Sequence, residues 1–342
     1  MNKYLLLTLI ISCFFTHCKS QTEKTSDTPV ITETPLIPYM DSYFNGHGEI
    51  TKTTGPQSIT RNIIQDGNGQ FWFATWEGLV VYDGKEFTNL TNKHKLSRYR
   101  VFTLLEDKEG NIWAGTVGAG LFKYNGKEFI QYTTEDGLGS NTIGCLFQSE
   151  EGDLWAGTLD GISKYNGSGF STFRTTTGGD DDDVNSIIQN KDGNLWVGTR
   201  GKLVSFDGST FTEVKNNDQS NFYNVRSVCK TKKGNIWIGG NNGLNFYDGS
   251  RWTNQSEDFT GYIFEDSKEN LWVAKSDKTD NYAMELFKYE TTPLPAANIT
   301  EIKLLSPGRQ IFGIFEDDQG KIWFGLDNGI ARYDGIDFEF FK

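Results

Sequence analysis

The chain has few residues of the kinds that build catalytic and metal sites. Only 3 of its 342 residues are histidines. His17 falls in an N-terminal apolar segment, and His47 and His94 lie outside the repeated motif described below. No histidine cluster is therefore available to hold a metal or to activate a nucleophile. There is also no phosphate-binding glycine loop, so the sequence predicts no catalytic constellation, no metal site and no cofactor.

Cysteine is scarce as well, with 4 residues in the chain. Cys13 and Cys18 close the N-terminal apolar segment. Cys145 and Cys229 fall in corresponding strands of different repeats, which would hold them apart. We therefore expect no disulfide and interpret Cys145 and Cys229 as core residues.

The chain also has no excess of basic residues. The 33 Lys and Arg residues are outnumbered by 45 Asp and Glu, which gives a net charge of -12. This balance argues against a nucleic-acid partner, because nonspecific binding to phosphate needs a basic face. The run Asp180–Asp183 could collect Ca²⁺, but it lacks the alternating spacing of a known calcium loop, so a solvated loop is the favoured interpretation.

No apolar run is long enough to cross a membrane permanently. Lys3 is followed by the apolar run Tyr4–Ile11, which has the length of an export signal rather than of a membrane span. The segment resembles a bacterial lipoprotein signal. Cys13 fits the usual lipidation motif better, whereas Cys18 leaves a polar mature end, and we favour Cys18 as the lipidated residue.

The predicted organisation follows from this N-terminus. Residues 1–18 form the signal peptide, and residues 19–42, rich in Ser, Thr and Pro, form a flexible tether. A lipid anchor would then hold the remaining residues, 43–342, at a membrane surface without spanning it. We expect the protein in the bacterial cell envelope, in the periplasm or on the outer-membrane surface.

A motif of about fourteen residues is written seven times in that remainder. It reads x-φ-φ-x-D-x-x-G-x-φ-W-φ-G-T with variations, where φ is apolar. Its central residues are Trp72, Trp113, Trp155, Trp196, Trp237, Trp272 and Trp323. A period near forty residues accommodates four short strands with their turns but not a domain.

Each repeat divides into four strands, A to D. The Asp-x-x-Gly step suits a tight turn from A to B, and a Tyr-Asn-Gly or Tyr-Asp-Gly step suits the turn from C to D. The sequence thus predicts an all-β fold, a seven-bladed β-propeller with four-stranded antiparallel blades. The tryptophans could be carbohydrate-stacking platforms, but their constant register favours packing between blades.

Ring closure is predicted from the ends of the repeat region. Phe44–Thr51 resembles a D strand, although the last repeat has its own D strand in Asp337–Phe341. We expect this N-terminal segment to pack beside the last blade near the C-terminus, since closure by both termini would cover exposed edges.

These repeats resemble the two-component regulator propeller repeat of periplasmic sensor regions in bacterial hybrid histidine kinases. The third repeat is a close match through Asn141–Gln148, Gly152–Thr158 and Gly161–Tyr165. The resemblance implies a ligand-sensing fold. The sequence ends at Lys342 without a membrane helix or kinase, so we expect any output to need a separate membrane signalling protein.

The sixth repeat departs from the common pattern, and the sequence also lacks a catalytic site known from enzymes of similar fold. In the sixth repeat, Val273-Ala274-Lys275 replaces the Gly-Thr step and a Pro-containing stretch follows at Thr291–Ala297; a decayed repeat is favoured over a functional insertion. Streptogramin lyases are also seven-bladed propellers, but their catalysis uses His and Mg²⁺, and nothing in this sequence matches that site.

The predicted binding face carries the D-to-A connections and the B-to-C turns, which vary where the scaffold repeats. Arginine, Asn and a lone Trp around the channel mouth suit a glycan or a small acidic ligand. The candidate ligand-binding residues are Trp76, Arg61, Arg100, Arg200, Arg226, Asn241 and Asp327. Each of the A-strand arginines Arg61, Arg100 and Arg226 could instead pair with a loop carboxylate such as Glu77, Asp160 or Asp183.

Two classes of function fit these observations. The first is a noncatalytic, sensor-like protein that binds a ligand or a partner protein. The alternative is an envelope polysaccharide-degrading enzyme, a lyase or glycosidase, with Glu77 and Asp327 as paired acid and base. We favour the first, because carboxylates occur singly among the loops of this face.

Overall fold

The computed structural model describes residues 52–90, 96, 99–175, 182–276, 284–290, 298–302 and 310–342, which belong to one compact unit. The predicted signal peptide with Cys13 and Cys18, the tether, all three histidines and Phe44–Thr51 lie outside these residues, as does the Pro-containing stretch of the sixth repeat. Within the described residues, no helix combines the length and apolarity needed to cross a membrane.

Seven antiparallel sheets follow one another along the chain, and in each the strands A to D lie side by side in sequence order. The prediction of a seven-bladed β-propeller is therefore confirmed. The strands are β1 Lys52–Thr53 and, in blade 1, β2 Thr60–Gln65, β3 Phe71–Thr75, β4 Gly78–Tyr82 and β5 Phe87–Asn89; in blade 2, β6 Val101–Glu106, β7 Ile112–Thr116, β8 Leu121–Tyr124 and β9 Phe129–Tyr132; in blade 3, β10 Ile143–Gln148, β11 Leu154–Thr158, β12 Gly161–Tyr165 and β13 Phe170–Phe173; in blade 4, β14 Val184–Gln189, β15 Leu195–Thr199, β16 Leu203–Phe206 and β17 Phe211–Glu213; in blade 5, β18 Ser227–Lys230, β19 Ile236–Gly240, β20 Gly243–Tyr247 and β21 Trp252–Ser256; in blade 6, β22 Thr260–Glu265, β23 Asn270–Ser276, β24 Met284–Glu290 and β25 Asn298–Ile302; and in blade 7, β26 Ile311–Glu316, β27 Ile322–Leu326, β28 Gly329–Tyr333 and β29 Phe338–Phe341.

The A-to-B turn is held by the side chain of its first residue. In blade 2, Asp107 Oδ1 accepts the backbone N–H of Asn111 at 2.8 Å, and Asp107 Oδ2 accepts the indole N–H of Trp113 at 2.7 Å. Burial alone would raise the pKa of Asp107, but these hydrogen bonds outweigh it and lower that pKa. The carboxylate therefore fixes both the turn and the tryptophan.

The repeated tryptophans pack between blades, as predicted. Trp113 of blade 2 is 1% exposed and lies in one cluster with Ile143, Leu154 and Phe170 of blade 3. Trp323 of blade 7 contacts Phe71 of blade 1, with ring centroids 4.7 Å apart. The last blade thus packs directly on the first, and the ring closes through the same kind of interface.

The N-terminal strand does not complete blade 7. Strand β1 pairs with β5 and forms a fifth, outer strand of blade 1, whereas blade 7 contains its own D strand, β29. The chain then passes the C-terminus, where the Thr54 hydroxyl donates to the carbonyl of Lys342. The predicted packing of Phe44–Thr51 beside the last blade concerns residues outside the described ones and stays a prediction; β1, which follows that segment, pairs with the first blade.

Cys145 on β10 and Cys229 on β18 are both free thiols. Burial raises the pKa of each thiol to about 12. The expectation that they form no disulfide is confirmed.

Candidate functional site

The A strands of neighbouring blades contact one another all the way round, so they form the inner wall of the ring. In six blades the register to strand B shifts at the second residue of strand A. This bulge leaves that residue without a direct cross-strand partner and changes the direction of its side chain. The bulged residues are Arg61, Phe102, Gly144, Asn185, Gly261 and Phe312.

A cavity of about 400 Å³ lies against these strands. Five of the bulged residues line it together with Arg226 of blade 5, namely Arg61, Phe102, Gly144, Asn185 and Gly261. Its charged lining consists of three arginines, Arg61, Arg200 and Arg226, and one carboxylate, Asp183. A cationic cavity in a chain with a net charge of -12 is suited to an anionic ligand.

Arg61 is held by aromatic rings from both neighbouring blades. Its guanidinium carbon lies 4.4 Å from the centroid of the Phe102 ring and 5.6 Å from that of Phe312. Cation–π contacts of this kind orient the planar guanidinium while leaving its N–H groups available to a ligand.

Arg226 is fixed by an amide in the preceding blade. Its Nη1 donates to Asn185 Oδ1 at 3.0 Å, and Asn185 Nδ2 donates to the carbonyl of Val225 at 3.1 Å. Burial lowers the pKa of Arg226, and the positive charges of Arg61 and Arg200 lower it further. A bound anion would relieve this repulsion between guanidinium groups.

Arg200 is the exposed member of the three arginines that line the cavity. Its side chain is 61% exposed, and its Nε lies 3.8 Å from Asp183 Oδ2. Its backbone N–H donates to the carbonyl of Asp183 at 2.9 Å. Equivalent bonds tie Trp76 to Ile59 and Val117 to Arg100, so the B-to-C turns do lie beside the starts of the A strands, as the sequence predicted.

Four of the seven candidate residues lie outside the cavity lining. Trp76 and Arg100 stack on each other, with the guanidinium carbon 3.9 Å from the ring centroid. Asn241 is exposed and accepts a hydrogen bond from Asn224 Nδ2 at 3.0 Å, and Asp327 follows β27. Arg100 precedes strand β6, and the bulged second residue of that strand is Phe102. Phe102, and not Arg100, is therefore equivalent to Arg61.

Two aromatic residues of the cavity wall, Phe102 and Tyr262, were not among the predicted site residues. Asp183, predicted as a possible partner of an A-strand arginine, supplies the carboxylate of the lining. Aligning the A strands on the Asp-x-x-Gly turn would have placed Phe102 in register with Arg61. The solvated-loop interpretation of Asp180–Asp183 is wrong for Asp182, which is fully buried and accepts a hydrogen bond from the Thr175 hydroxyl.

The carboxylates of the enzymatic alternative are placed elsewhere. Neither Glu77 nor Asp327 lines the cavity, and Glu77 Oε1 accepts the backbone N–H of Gln57 at 3.0 Å. Among the described residues, no group of three or more His, Cys, Asp or Glu is arranged to hold a metal ion.

The repeats match a family model described as the two component regulator propeller. The match covers residues 95–118, 137–160, 178–201, 219–242 and 305–328. These are two component regulator propeller repeats. Each matched segment runs from the D-to-A connection through strands A and B, and the five fall in blades 2, 3, 4, 5 and 7.

Solved structures share the propeller fold at low identity. The extracellular domain of BT4673, a proposed one component system from B. thetaiotaomicron, is 20% identical with a TM-score of 0.63, over 83% of this chain and 39% of that one. The chain therefore spans well under half the length of that relative. Streptogramin B lyase is 15% identical with a TM-score of 0.62, over 85% of this chain and 97% of that one.

Virginiamycin B lyase from Staphylococcus aureus, solved with quinupristin, is similar to the same degree. It is 15% identical with a TM-score of 0.62, over 83% of this chain and 98% of that one. At these identities the likeness shows the fold of these two component regulator propeller repeats and not their chemistry. Comparison with curated protein sequences gave no significant match.

Proposed function

We propose that the protein is a noncatalytic binding protein of the bacterial cell envelope that recognises a small acidic ligand, such as an acidic sugar. The observation that carries this proposal is the group of three guanidinium groups, from Arg61, Arg200 and Arg226, around one cavity. Guanidinium groups bind carboxylates through paired, charge-assisted hydrogen bonds.

The site is organised before any ligand arrives. The rings of Phe102 and Phe312 make cation–π contacts with the Arg61 guanidinium, and Asn185 accepts a hydrogen bond from Arg226. Such preorganisation reduces the entropy lost on binding. A preformed cationic cavity fits a receptor for a diffusible anion.

The sensor assignment rests on the repeats. BT4673 is described as the extracellular domain of a one component system, and this chain shares its propeller fold. By analogy, the protein would lie outside the cytoplasm, held by a lipid on Cys18, and would pass ligand occupancy to a separate membrane signalling protein.

Binding can be measured by calorimetry with galacturonate and with its neutral counterpart, galactose. We expect galacturonate to bind at least about tenfold more tightly, a difference of about 1.4 kcal/mol. Arg61→Gln and Arg226→Gln should each weaken galacturonate binding by about tenfold or more. A glycan array would extend the measurement to other acidic sugars.

Arg174→Gln is the matched control. Arg174 lies on the same face, where its Nε donates to Asp160 Oδ1 at 2.9 Å, but it does not line the cavity. This variant should bind like wild type. Equal affinity for the acidic and neutral sugars, or weaker binding in Lys108 or Lys191 variants on the opposite face, would contradict the proposal. Turnover of a polysaccharide by the purified protein would favour the enzymatic alternative.

A further inference from the structure

The connection between blades 4 and 5, residues 214–226, presents an aromatic ring beside the cavity. Tyr223 is 55% exposed. Among the described residues, the other large apolar side chains with substantial exposure are Ile130, Leu159 and Ile336. Tyr223 and Leu159 belong to the face of the D-to-A connections and B-to-C turns, and Leu159 itself lines the cavity.

The connection is anchored to blade 5 at two residues, Asn217 and Phe222. Asn217 Nδ2 donates to the carbonyl of Trp252 at 2.8 Å, and Asn217 Oδ1 accepts the backbone N–H of Trp252 at 3.0 Å. The next anchor is Phe222, which is 1% exposed and packs on the Trp252 ring at 4.7 Å. This packing fixes the residue directly before Tyr223.

The backbone of Tyr223 is fixed at both of its polar groups. Its N–H donates to Asn242 Oδ1 at 2.6 Å, and its carbonyl accepts the N–H of Asn241 at 3.2 Å. Asn224 follows with φ 45, a left-handed conformation that is uncommon outside glycine, and its N–H donates to the carbonyl of Arg200 at 2.8 Å. Such conformations persist where the surroundings determine them and cluster at ligand sites.

The bond from Asn224 places Tyr223 one residue along the chain from a backbone contact with Arg200, which is part of the cavity lining. The exposed amides of Asn241 and Asn242 lie on the same turn. An exposed aromatic ring on a connection that is hydrogen-bonded to Asn241, Asn242 and Arg200 offers a stacking surface for a sugar ring, and those side chains offer hydrogen bonds for its hydroxyl and carboxylate groups. A protein partner would require a larger apolar centre than Tyr223 and Leu159 provide.

We propose that Tyr223 and Arg200 form a second subsite, which binds the next ring of an acidic oligosaccharide whose first acidic unit occupies the cavity. This inference rests on the proposed function and adds that the ligand has at least two rings. Any sugar ring with an apolar face can stack on an aromatic side chain, so the acidic groups of the ligand would supply the selectivity.

The test compares galacturonate with digalacturonate by calorimetry on wild type and on Tyr223→Ala. We expect wild type to bind the disaccharide at least tenfold more tightly than the monosaccharide. Tyr223→Ala should abolish that gain and leave the affinity for galacturonate unchanged. Tyr223→Phe should keep the gain, because it retains the stacking ring.

Ile336→Ala is the control, because it removes an exposed apolar side chain from a C-to-D turn on the opposite face. It should bind both probes like wild type. Undiminished disaccharide binding in Tyr223→Ala overturns the second subsite, and so does an equal loss for both probes, which would mean that Tyr223 only supports Arg200. Arginine-dependent binding of galacturonate without any gain for the disaccharide would overturn this inference and leave the proposed function intact. Binding of neither probe by wild type would contradict both.

Discussion

Asp183 is the residue whose charge opposes the rest of the cavity lining. Its carboxylate lies 3.8 Å from Arg200 Nε, and its negative charge raises the pKa of Arg226 against the larger effect of burial. Asp183 thus already supplies part of the negative charge that the guanidinium groups attract. A ligand carboxylate must compete with it for the same cations.

Removing that charge is expected to strengthen anion binding. Asp183→Asn should raise the affinity for galacturonate several-fold, up to about tenfold or 1.4 kcal/mol, with little change for galactose. Calorimetry at low and high salt measures the effect, which should shrink as salt screens the charges.

Asp160→Asn is the matched variant for this experiment. It removes one carboxylate from the same face, but Asp160 pairs with Arg174 outside the cavity. The two variants have the same net charge, so a general change in the protein's field would affect both equally. An unchanged affinity in Asp183→Asn would show that Asp183 does not compete with the ligand.

The three arginines predicted near the starts of A strands differ in their relation to the cavity. Arg61 and Arg226 were correctly placed near the starts of A strands, and both line the cavity. Arg100 was placed with them but lies over Trp76 instead. A β-bulge at the second residue of strand A decides which side chain enters the channel, and sequence periodicity does not reveal a bulge.

Among the strands, the position two residues after the B-strand tryptophan is glycine in five blades, whereas blades 1 and 6 have Ala74 and Ala274 there. A Cβ built on Gly115 of β7 would lie 2.6 Å from Thr103 Cγ2 and 2.7 Å from Ile143 Cγ2 of blade 3. Gly157 and Gly239 meet the A strands of their next blades in the same way. The absence of a side chain at these glycines therefore leaves room for the neighbouring blade.

Gly115→Ala should therefore destabilise the fold through overpacking at the interface of blades 2 and 3. Such changes typically cost about 1–3 kcal/mol in the free energy of unfolding. Chemical denaturation would measure the loss. A fully native stability in this variant would mean that the blades can move apart without cost.

Gly67→Ala provides the comparison for this measurement. A Cβ on Gly67, in the first A-to-B turn, would approach only Glu106 Oε1 at 3.4 Å. This contact can adjust because the carboxylate ends a flexible side chain. We expect a change within about 0.5 kcal/mol, as at most surface sites.

At the scale of the whole molecule, the described propeller is complete without the N-terminal segment. All seven blades lie within residues 60–341, and blade 7 closes directly on blade 1. Attachment to a membrane and folding of the propeller should therefore be separable properties.

Labelling with palmitate during growth tests the predicted anchor. Cys18→Ala should abolish the label and release a soluble propeller with an unchanged melting temperature, because no described blade contains Cys18. Cys13→Ala serves as the comparison and should still be labelled at Cys18. Labelling that persists in Cys18→Ala and disappears in Cys13→Ala would assign the lipid to Cys13 instead.

The architecture could be predicted from the sequence, because each repeat contains the residues that form its own turns and strands. The Asp-x-x-Gly turn, the apolar B strand and the tryptophan recur at a nearly constant period, and a blade depends mainly on contacts with its neighbours. Seven such units predict seven blades, and the tryptophan register predicts the packing between them. Local patterns suffice because the interactions that build a blade are close in sequence.

The composition of the cavity and the pairing of strand β1 follow from the folded ring and could not be predicted from the repeats. Arg61, Asp183 and Arg226 come from blades 1, 4 and 5, and closure of the ring, together with the A-strand bulges, brings them to one channel. The outer position of β1 on blade 1 likewise depends on which strand edge remains open after closure. These outcomes depend on long-range geometry, which the spacing of residues along the chain does not encode.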